Sequence, residues 1–290
     1  MPQRADAGAR SAAGRPGRLG SEERHAALAA PGKADGLSSH WYRQAGIGLH
    51  VRQRLTGDAA TPVVLLHGLA VSHRYLMPTA RALQGRAVYV PDLPGFGLSD
   101  KPDEVLDVGR HADVLGGWLE SLDLAPVAVL GNSFGCQVAV ELACRRADLV
   151  GALVLVGPTT DPAAATMWGQ IRRFAVNLLF EDCRQAPILL ADVRDAGLRR
   201  VVATLRHAVR DEIEKKLPSI RAPTLLARGA RDRIVPLHWL ARAAALTPDA
   251  RTLVVERAAH NAVTTAGPQL AAAVDRFLKR PTAERDEPCS

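Results

Sequence analysis

Cysteine and aromatic residues are scarce in this chain, and no apolar run approaches the length of a membrane span. The four cysteines, Cys136, Cys144, Cys183 and Cys289, form no Cys-x-x-Cys pair and show no metal-ligand spacing. Neither a zinc site nor a disulfide framework is therefore expected, and reduced thiols point to a cytoplasmic protein. Aromatics make up 4% of the residues, too few for a base-stacking surface. The arginines behind the net charge of +7 are scattered along the chain, so no nucleic-acid partner is expected. Ala26–Ala30 is too weak an apolar stretch for a signal-peptide core. What remains is 290 residues with 47% hydrophobic and 23% charged content, enough for one large α/β domain carrying an insertion.

Residues 1–39 mix Ala, Gly, Arg, Pro and Ser without periodicity and read as a disordered tail. Trp41-Tyr42-Arg43, a turn through Ala45-Gly46 and the alternating Leu49–Arg54 predict a hairpin. Val63–Leu66, Ala87–Val90, Val127–Leu130, Ala152–Val156, Thr224–Ala227 and Thr252–Val255 are short apolar runs suited to buried parallel strands. Helix-like stretches separate them: Leu76–Leu83, Val108–Leu122, Gln137–Ala143, Leu237–Leu246 and Pro268–Leu278. Such alternation implies an α/β fold, a parallel sheet with helices on both faces. The rhythm breaks between Gly157 and Ile220, where Trp168–Leu179, Ala186–Val193 and Leu198–Lys216 look helical and no strand intervenes. That excursion reads as an inserted helical cap.

The chemistry starts at Gly131-Asn132-Ser133-Phe134-Gly135, between the Val127 strand and a helix. Strand, Gly-x-Ser-x-Gly turn and helix together are the context of a nucleophile elbow, the alternative being a strand-to-helix turn with an incidental serine. A serine in so tight a turn lies close to backbone on both sides, so small residues are needed two positions away. The helix N-terminus adds N–H groups where an oxyanion would form. Partners for Ser133 should sit in loops at the carboxyl ends of strands. Asp232 follows the Leu225-Leu226 strand and His260 follows Val254-Val255, giving the order Ser, Asp, His. A neutral imidazole can take the serine proton while a carboxylate fixes its tautomer. Singly, Asp232 could be a turn residue and His260 a loop histidine. Asp92 is the best rival acid, although its Pro-Gly loop suggests a turn-shaping role, and Glu256 is a remote one. His67 reads as a structural hydrogen-bonding residue, and His73, His111, His207 and His238 as solvated helix residues. The N–H of Phe134, and that of Leu69 after the turn at Gly68, are the expected oxyanion donors. No metal or cofactor is called for.

His67-Gly68 after a strand, Asp92-Leu93-Pro94-Gly95-Phe96-Gly97-Leu98-Ser99, the Ser133 elbow, Gly229–Pro236 and His260 together resemble the α/β-hydrolase superfamily, from Trp41 to Arg280. The resemblance implies a mostly parallel eight-stranded sheet flanked by helices, with the insert as a lid. Core segments then fall at 40–156 and 222–281, the cap at 157–221 and a short tail at 282–290. Serine at the elbow disfavours the haloalkane-dehalogenase and epoxide-hydrolase branches, which use aspartate there. Gly131-Asn132-Ser133 also looks like the elbow of carbon–carbon hydrolases of meta-cleavage products. Ala258-Ala259-His260-Asn261 lacks the Gly-His-Trp ending of that branch, and His67-Gly68-Leu69-Ala70 lacks its glycine-rich continuation. Cofactor-free perhydrolases and thioesterases share the triad. The reading is a serine hydrolase cleaving an ester-type acyl bond of a small, largely apolar substrate. A carbon–carbon hydrolase or perhydrolase is the alternative, and a ligand-binding receptor on the same fold the non-enzymatic one. Leu178, Leu179, Phe180, Ile188, Leu189 and Leu190 are lid candidates either for lining an apolar pocket or for packing the lid on the core. The sequence assigns no oligomeric state.

Overall fold

A computed structural model describes residues 36–56 and 60–279; the remaining stretches of both expected tails, and Cys289, lie outside the described residues. The chain opens with the hairpin β1 (Ser38–Gln44) and β2 (Ile47–Arg54). Ala45 and Gly46 both take positive φ, 48° and 79°, the backbone a tight two-residue hairpin requires. Strand β1 starts three residues before the expected Trp41, because Ser38 and Ser39 pair with Gln53 and Arg52 and Leu37 is buried beneath. Pairing to a neighbour, which the composition of residues 1–39 does not reveal, sets this boundary.

Six further strands follow: β3 (Val63–Leu66), β4 (Val88–Pro91), β5 (Val127–Asn132), β6 (Val150–Val156), β7 (Thr224–Gly229) and β8 (Ala250–Val255). They form one eight-stranded sheet in the order β1-β2-β4-β3-β5-β6-β7-β8, antiparallel at β1/β2 and β2/β4 and parallel from β4 onward. Successive residues of the central strands face opposite sides: Val64 and Leu66 join one core cluster while Val63 and Leu65 join the other. That explains the continuous apolar runs, since neither face meets water. Helix α1 (His73–Ala82) covers one face, while α2 (Val108–Ser121) and α3 (Phe134–Arg145) lie together on the other.

Between β6 and β7 the chain leaves the sheet for α4 (Met167–Asn177), α5 (Ala186–Ala196), α6 (Leu198–Arg210) and α7 (Ile213–Lys216), joined by short 3-10 turns. The single helix expected over Leu198–Lys216 is two, because Asp211 adopts an extended backbone (φ −75°, ψ 109°) and its carboxylate takes the Lys216 ammonium. Of the six apolar lid candidates, Leu178, Leu179, Phe180 and Leu190 are exposed. Phe180 nevertheless lies under the Arg233 guanidinium, 4.5 Å from its ring centre, and Ile188 and Leu189 are half-buried. Helix α8 (Leu237–Leu246), the single turn α9 (Ala262–Thr265) and α10 (Gly267–Leu278) complete the fold. No helix of the described residues is long and apolar enough to cross a membrane.

Trp118 on α2 is fully buried, its ring edge-on to Tyr42 of β1 and Tyr89 of β4 at centroid distances of 5.9 and 6.0 Å. Truncation there leaves a cavity the edge strands cannot fill. Trp118→Ala is expected to lose about 3–5 kcal/mol of stability, measured as a fall in the urea midpoint with unchanged m; a loss below ~1 kcal/mol would show that the three rings do not fasten the hairpin.

Candidate active site

Ser133 joins β5 to α3 with φ 53° and ψ −117°, a conformation costly for any residue with a Cβ and worth about 1–3 kcal/mol of strain. The flanking spelling follows from contact distances. A Cβ on Gly131 would lie 2.4 Å from the Gly135 carbonyl oxygen, and one on Gly135 would lie 2.4 Å from the Leu66 carbonyl oxygen. The turn is anchored by the Ser133 N–H donating to Val156 O at 3.0 Å and the Cys136 N–H donating to Ser133 O at 2.9 Å. Ser133 itself is half-buried.

The residue after Val156 is Gly157, with φ +62°; a Cβ there would lie 2.9 Å from His260 Cε1 and 3.5 Å from Asp232 Oδ2. The end of β6 thus touches both Ser133 and His260. Asp232 and His260 are themselves joined: His260 Nδ1 lies 2.9 Å from Asp232 Oδ2, with both side chains buried. The other Asp232 oxygen, Oδ1, accepts the N–H groups of Ile234 and Val235 at 2.8 and 2.9 Å. Because a carboxylate only accepts, the neutral imidazole carries its proton on Nδ1 and its lone pair on Nε2. Nε2 is buried and has no hydrogen-bond partner. Ser133 Oγ and Nε2 are not hydrogen bonded to each other; contacts of this kind commonly tighten only in the complex with substrate.

Burial alone would lower the His260 pKa, but the charge of Asp232, its hydrogen bond and the charge of Glu181 outweigh it, and the pKa is raised above 6.5. Glu181 follows α4 and carries no motif, so sequence reasoning missed it. Its Oε1 accepts from Asn177 Nδ2 at 2.8 Å and from the N–H of Asn261, the neighbour of His260, at 3.0 Å. Its Oε2 is buried and unpartnered.

The expected oxyanion donors also lie around the serine. A Cβ on Gly68 would sit 3.2 Å from Ser133 Cβ, so the loop bearing Leu69 runs directly beside the elbow. Among the described residues, the N–H groups of Leu69 and Phe134 donate to no protein acceptor. His67 holds this loop: its Nε2 accepts from Leu93 N–H at 2.9 Å, so Nδ1 carries the proton and donates to Gly68 O at 2.8 Å. Its pKa is lowered, chiefly by burial.

Asp92, the rival acid, is engaged elsewhere. It accepts from His50 Nδ1 at 2.8 Å, from the His73 N–H at 2.7 Å, from His73 Nδ1 and from the Leu98 N–H at 2.9 Å. Burial raises its pKa, but His73 and His50 overcome that and hold it well below the carboxylate range. His73 and His111 are buried rather than solvated, as helix position alone had suggested, because both face the interior: His73 meets Asp92, and His111 meets the carbonyls of Asp107 and Pro94. His50, His73 and Asp92 are the described group with metal-ligand spacing, yet both imidazoles spend Nδ1 on the carboxylate, and an ion would have to displace those bonds. His238 and Glu256 are exposed, and His207 is half-buried. Cys136 is buried, Cys144 half-buried and Cys183 exposed, all free.

Residues 61–196 match the model of the alpha/beta hydrolase fold family, and residues 202–289 that of TAP-like proteins. A haloalkane dehalogenase of Mycolicibacterium paratuberculosis is 36% identical over 124 residues, which span 39% of this chain and only 41% of that enzyme. The 2-hydroxy-6-oxononadienedioate/2-hydroxy-6-oxononatrienedioate hydrolase of Cupriavidus pinatubonensis is 29% identical over 71% of this chain and 82% of its own length. Among solved structures, the enol-lactonase of Burkholderia xenovorans superposes with a TM-score of 0.70 at 21% identity, covering 83% of this chain and all of that one. The chain belongs to the α/β-hydrolase superfamily and is a hydrolase at the level of that family.

Glu181→Gln removes one of two negative charges bearing on the imidazolium and should lower the His260 pKa. An NMR titration of the His260 ring checks it; an unchanged or raised value would show that the Glu181 charge does not reach the base.

Proposed function

We propose that Ser133, His260 and Asp232 form the catalytic triad of a serine hydrolase cleaving an ester-type acyl bond of a small, largely apolar substrate. The observation that supports this reading is the buried His260–Asp232 pair, 2.9 Å apart, which leaves Nε2 without a hydrogen-bond partner, together with a serine held at φ 53° whose N–H is fixed to the same end of β6 that abuts the imidazole. In the proposed reaction Ser133 Oγ attacks the acyl carbon and its proton passes to Nε2. The imidazolium is stabilised by Asp232 and the oxyanion by the Phe134 and Leu69 N–H groups. Collapse expels the alcohol, which takes the proton from Nε2. Water then loses a proton to Nε2 as it attacks the acyl-enzyme, and that proton returns to Ser133 as the acid leaves. The segment between β6 and β7 acts as the cap over this centre.

Carbon–carbon hydrolysis is the second reading, supported by the name of the Cupriavidus relative. Two observations favour the ester. Asn261 follows the base here, where that branch carries tryptophan, and its N–H is held by the Glu181 carboxylate. A carboxylate beside the base, with one buried oxygen unpaired, opposes a dianionic substrate and suits a neutral one.

A fluorophosphonate probe should label Ser133 in the folded protein, and Ser133→Ala should abolish labelling and lower kcat on short p-nitrophenyl esters by about 10³-fold or more. Absence of an adduct would instead indicate a ligand-binding receptor. Faster turnover of a vinylogous diketone acid than of esters would favour carbon–carbon cleavage. The base must be neutral, and its pKa is raised, so kcat/KM should climb with pH to a half-maximum above pH 6.5. A limb below pH 6.5 would argue against His260 as the base.

A further inference from the structure

Helix α4 turns its polar residues toward the protein and leaves its apolar Trp168, Ile171 and Phe174 exposed. Gln170, Arg173 and Asn177 recur at helical spacing and form one inward stripe. Gln170 Nε2 donates to Ala164 O at 2.9 Å, and Arg173 donates to Ile234 O at 2.9 Å and pairs with Asp161 at 2.7 Å. These bonds already fasten the helix. Asn177, its last residue and only 1% exposed, makes a different kind of contact. Its Oδ1 accepts the Arg233 N–H at 3.1 Å, while its Nδ2 donates to Glu181 Oε1 at 2.8 Å. That same Glu181 oxygen accepts the Asn261 N–H at 3.0 Å. The partners fix the orientation of the amide, since a backbone N–H only donates and a carboxylate only accepts.

Arg233 directly follows Asp232, and Asn261 directly follows His260. One amide and one carboxylate oxygen therefore bridge the two loops one residue beyond each member of the buried pair. Before the pair the loops are joined by backbone, the Arg231 N–H donating to Ala258 O at 2.9 Å. The Asp232–His260 contact is thus bracketed by a backbone tie on one side and a side-chain tie on the other. The acid loop is gripped at further points by the same segment. Ile234, whose N–H binds Asp232 Oδ1, has its carbonyl held by Arg173, and the Arg233 guanidinium rests 4.5 Å from the centre of the Phe180 ring. The bridge spans 56 positions of chain to Arg233 and 80 to Asn261, and no strand pairing supplies it.

We propose that Asn177, acting with Glu181, is a positioning residue: the excursion between β6 and β7 holds the acid and base loops at the separation their hydrogen bond needs. This rests on the reading of Ser133, His260 and Asp232 as the triad, and the two can fail separately. Fluorophosphonate labelling of the wild type tests the triad, whereas NMR of the His260 ring reports the bridge with or without turnover. Asn177→Ala changes no charge, yet it should shift the Nδ1 proton of His260 upfield and lower the ring pKa, because the Asp232 contact that raises it loosens. On p-nitrophenyl acetate kcat should fall on the order of tenfold or more with KM little changed. Glu181→Ala should do the same, whereas Glu181→Gln, which keeps an oxygen for both donors, should recover most of the lost kcat at a pH where the base is neutral. In an Asp232→Asn background Asn177→Ala should no longer move the ring pKa. The proposal is overturned if folded Asn177→Ala keeps the wild-type ring signal, pKa and kcat. It is equally overturned if the pKa shift persists beside Asp232→Asn, which would place the effect on the Glu181 charge, or if Glu181→Gln is as slow as Glu181→Ala. Melting curves establish that each variant is folded; should Asn177→Ala not fold, the two Glu181 variants decide by the same comparison.

Discussion

The approach of one loop to another at the carboxyl end of β3 and β5 governs the geometry of this molecule. Backbone of the Gly131–Gly135 turn passes so near the Leu66 carbonyl that any Cβ on Gly135 would overlap it, and the Gly68 loop closes against Ser133 from the same side. The strained serine exists because strands, helix and neighbouring loop all fix that turn; no local preference would hold it. The parallel register from β4 to β8 then brings the loops after β6, β7 and β8 to the same edge. Gly229 shows how closely these fit, since a Cβ on it would fall 2.1 Å from Ala259 O, between the loops carrying Asp232 and His260.

Burying charge in such a place is costly unless every group is matched, and the protein solves this twice. Asp232 is matched by two backbone N–H groups and His260, leaving only Nε2 open. Asp92 is matched by two imidazoles and two backbone N–H groups and has no open partner. The contrast separates a carboxylate paired with an imidazole whose second nitrogen is open from one that fastens loops, although both end strands and both are buried. Through His67, Leu93 and Gly68 the second network also holds the loop beside Ser133.

The positions of Ser133, Asp232 and His260 could be read from sequence because a parallel sheet converts chain order into spatial order: a residue just past a strand must lie on the functional edge. Gly68 and Gly131 were legible for the same reason, as crowding restricts the residue type. Glu181 was not, since its relation to His260 arises only when Asn261 N–H meets it across 80 positions of chain. The Asp92–His50–His73 cluster joins a hairpin, a strand end and a helix start, and no local pattern announces it. The orientation of α4 was the least legible. Apolar periodicity shows that a helix has two faces, but not which of them meets the protein, and here the polar one does.

Gly157 has a consequence for how such a protein can be rebuilt. It is the last residue shared by the sheet and the helical excursion, and it lies against the imidazole ring with no room for a side chain. The segment between β6 and β7 can therefore be exchanged as a module, in length and in sequence, only downstream of this joint. A graft that moves the splice point one residue toward β6, or replaces the glycine, would transmit the new segment's geometry straight into the ring of His260. Diversity in the excursion and constancy of the centre are compatible because one small residue insulates them at this joint, so long as Asn177 and Glu181 are kept.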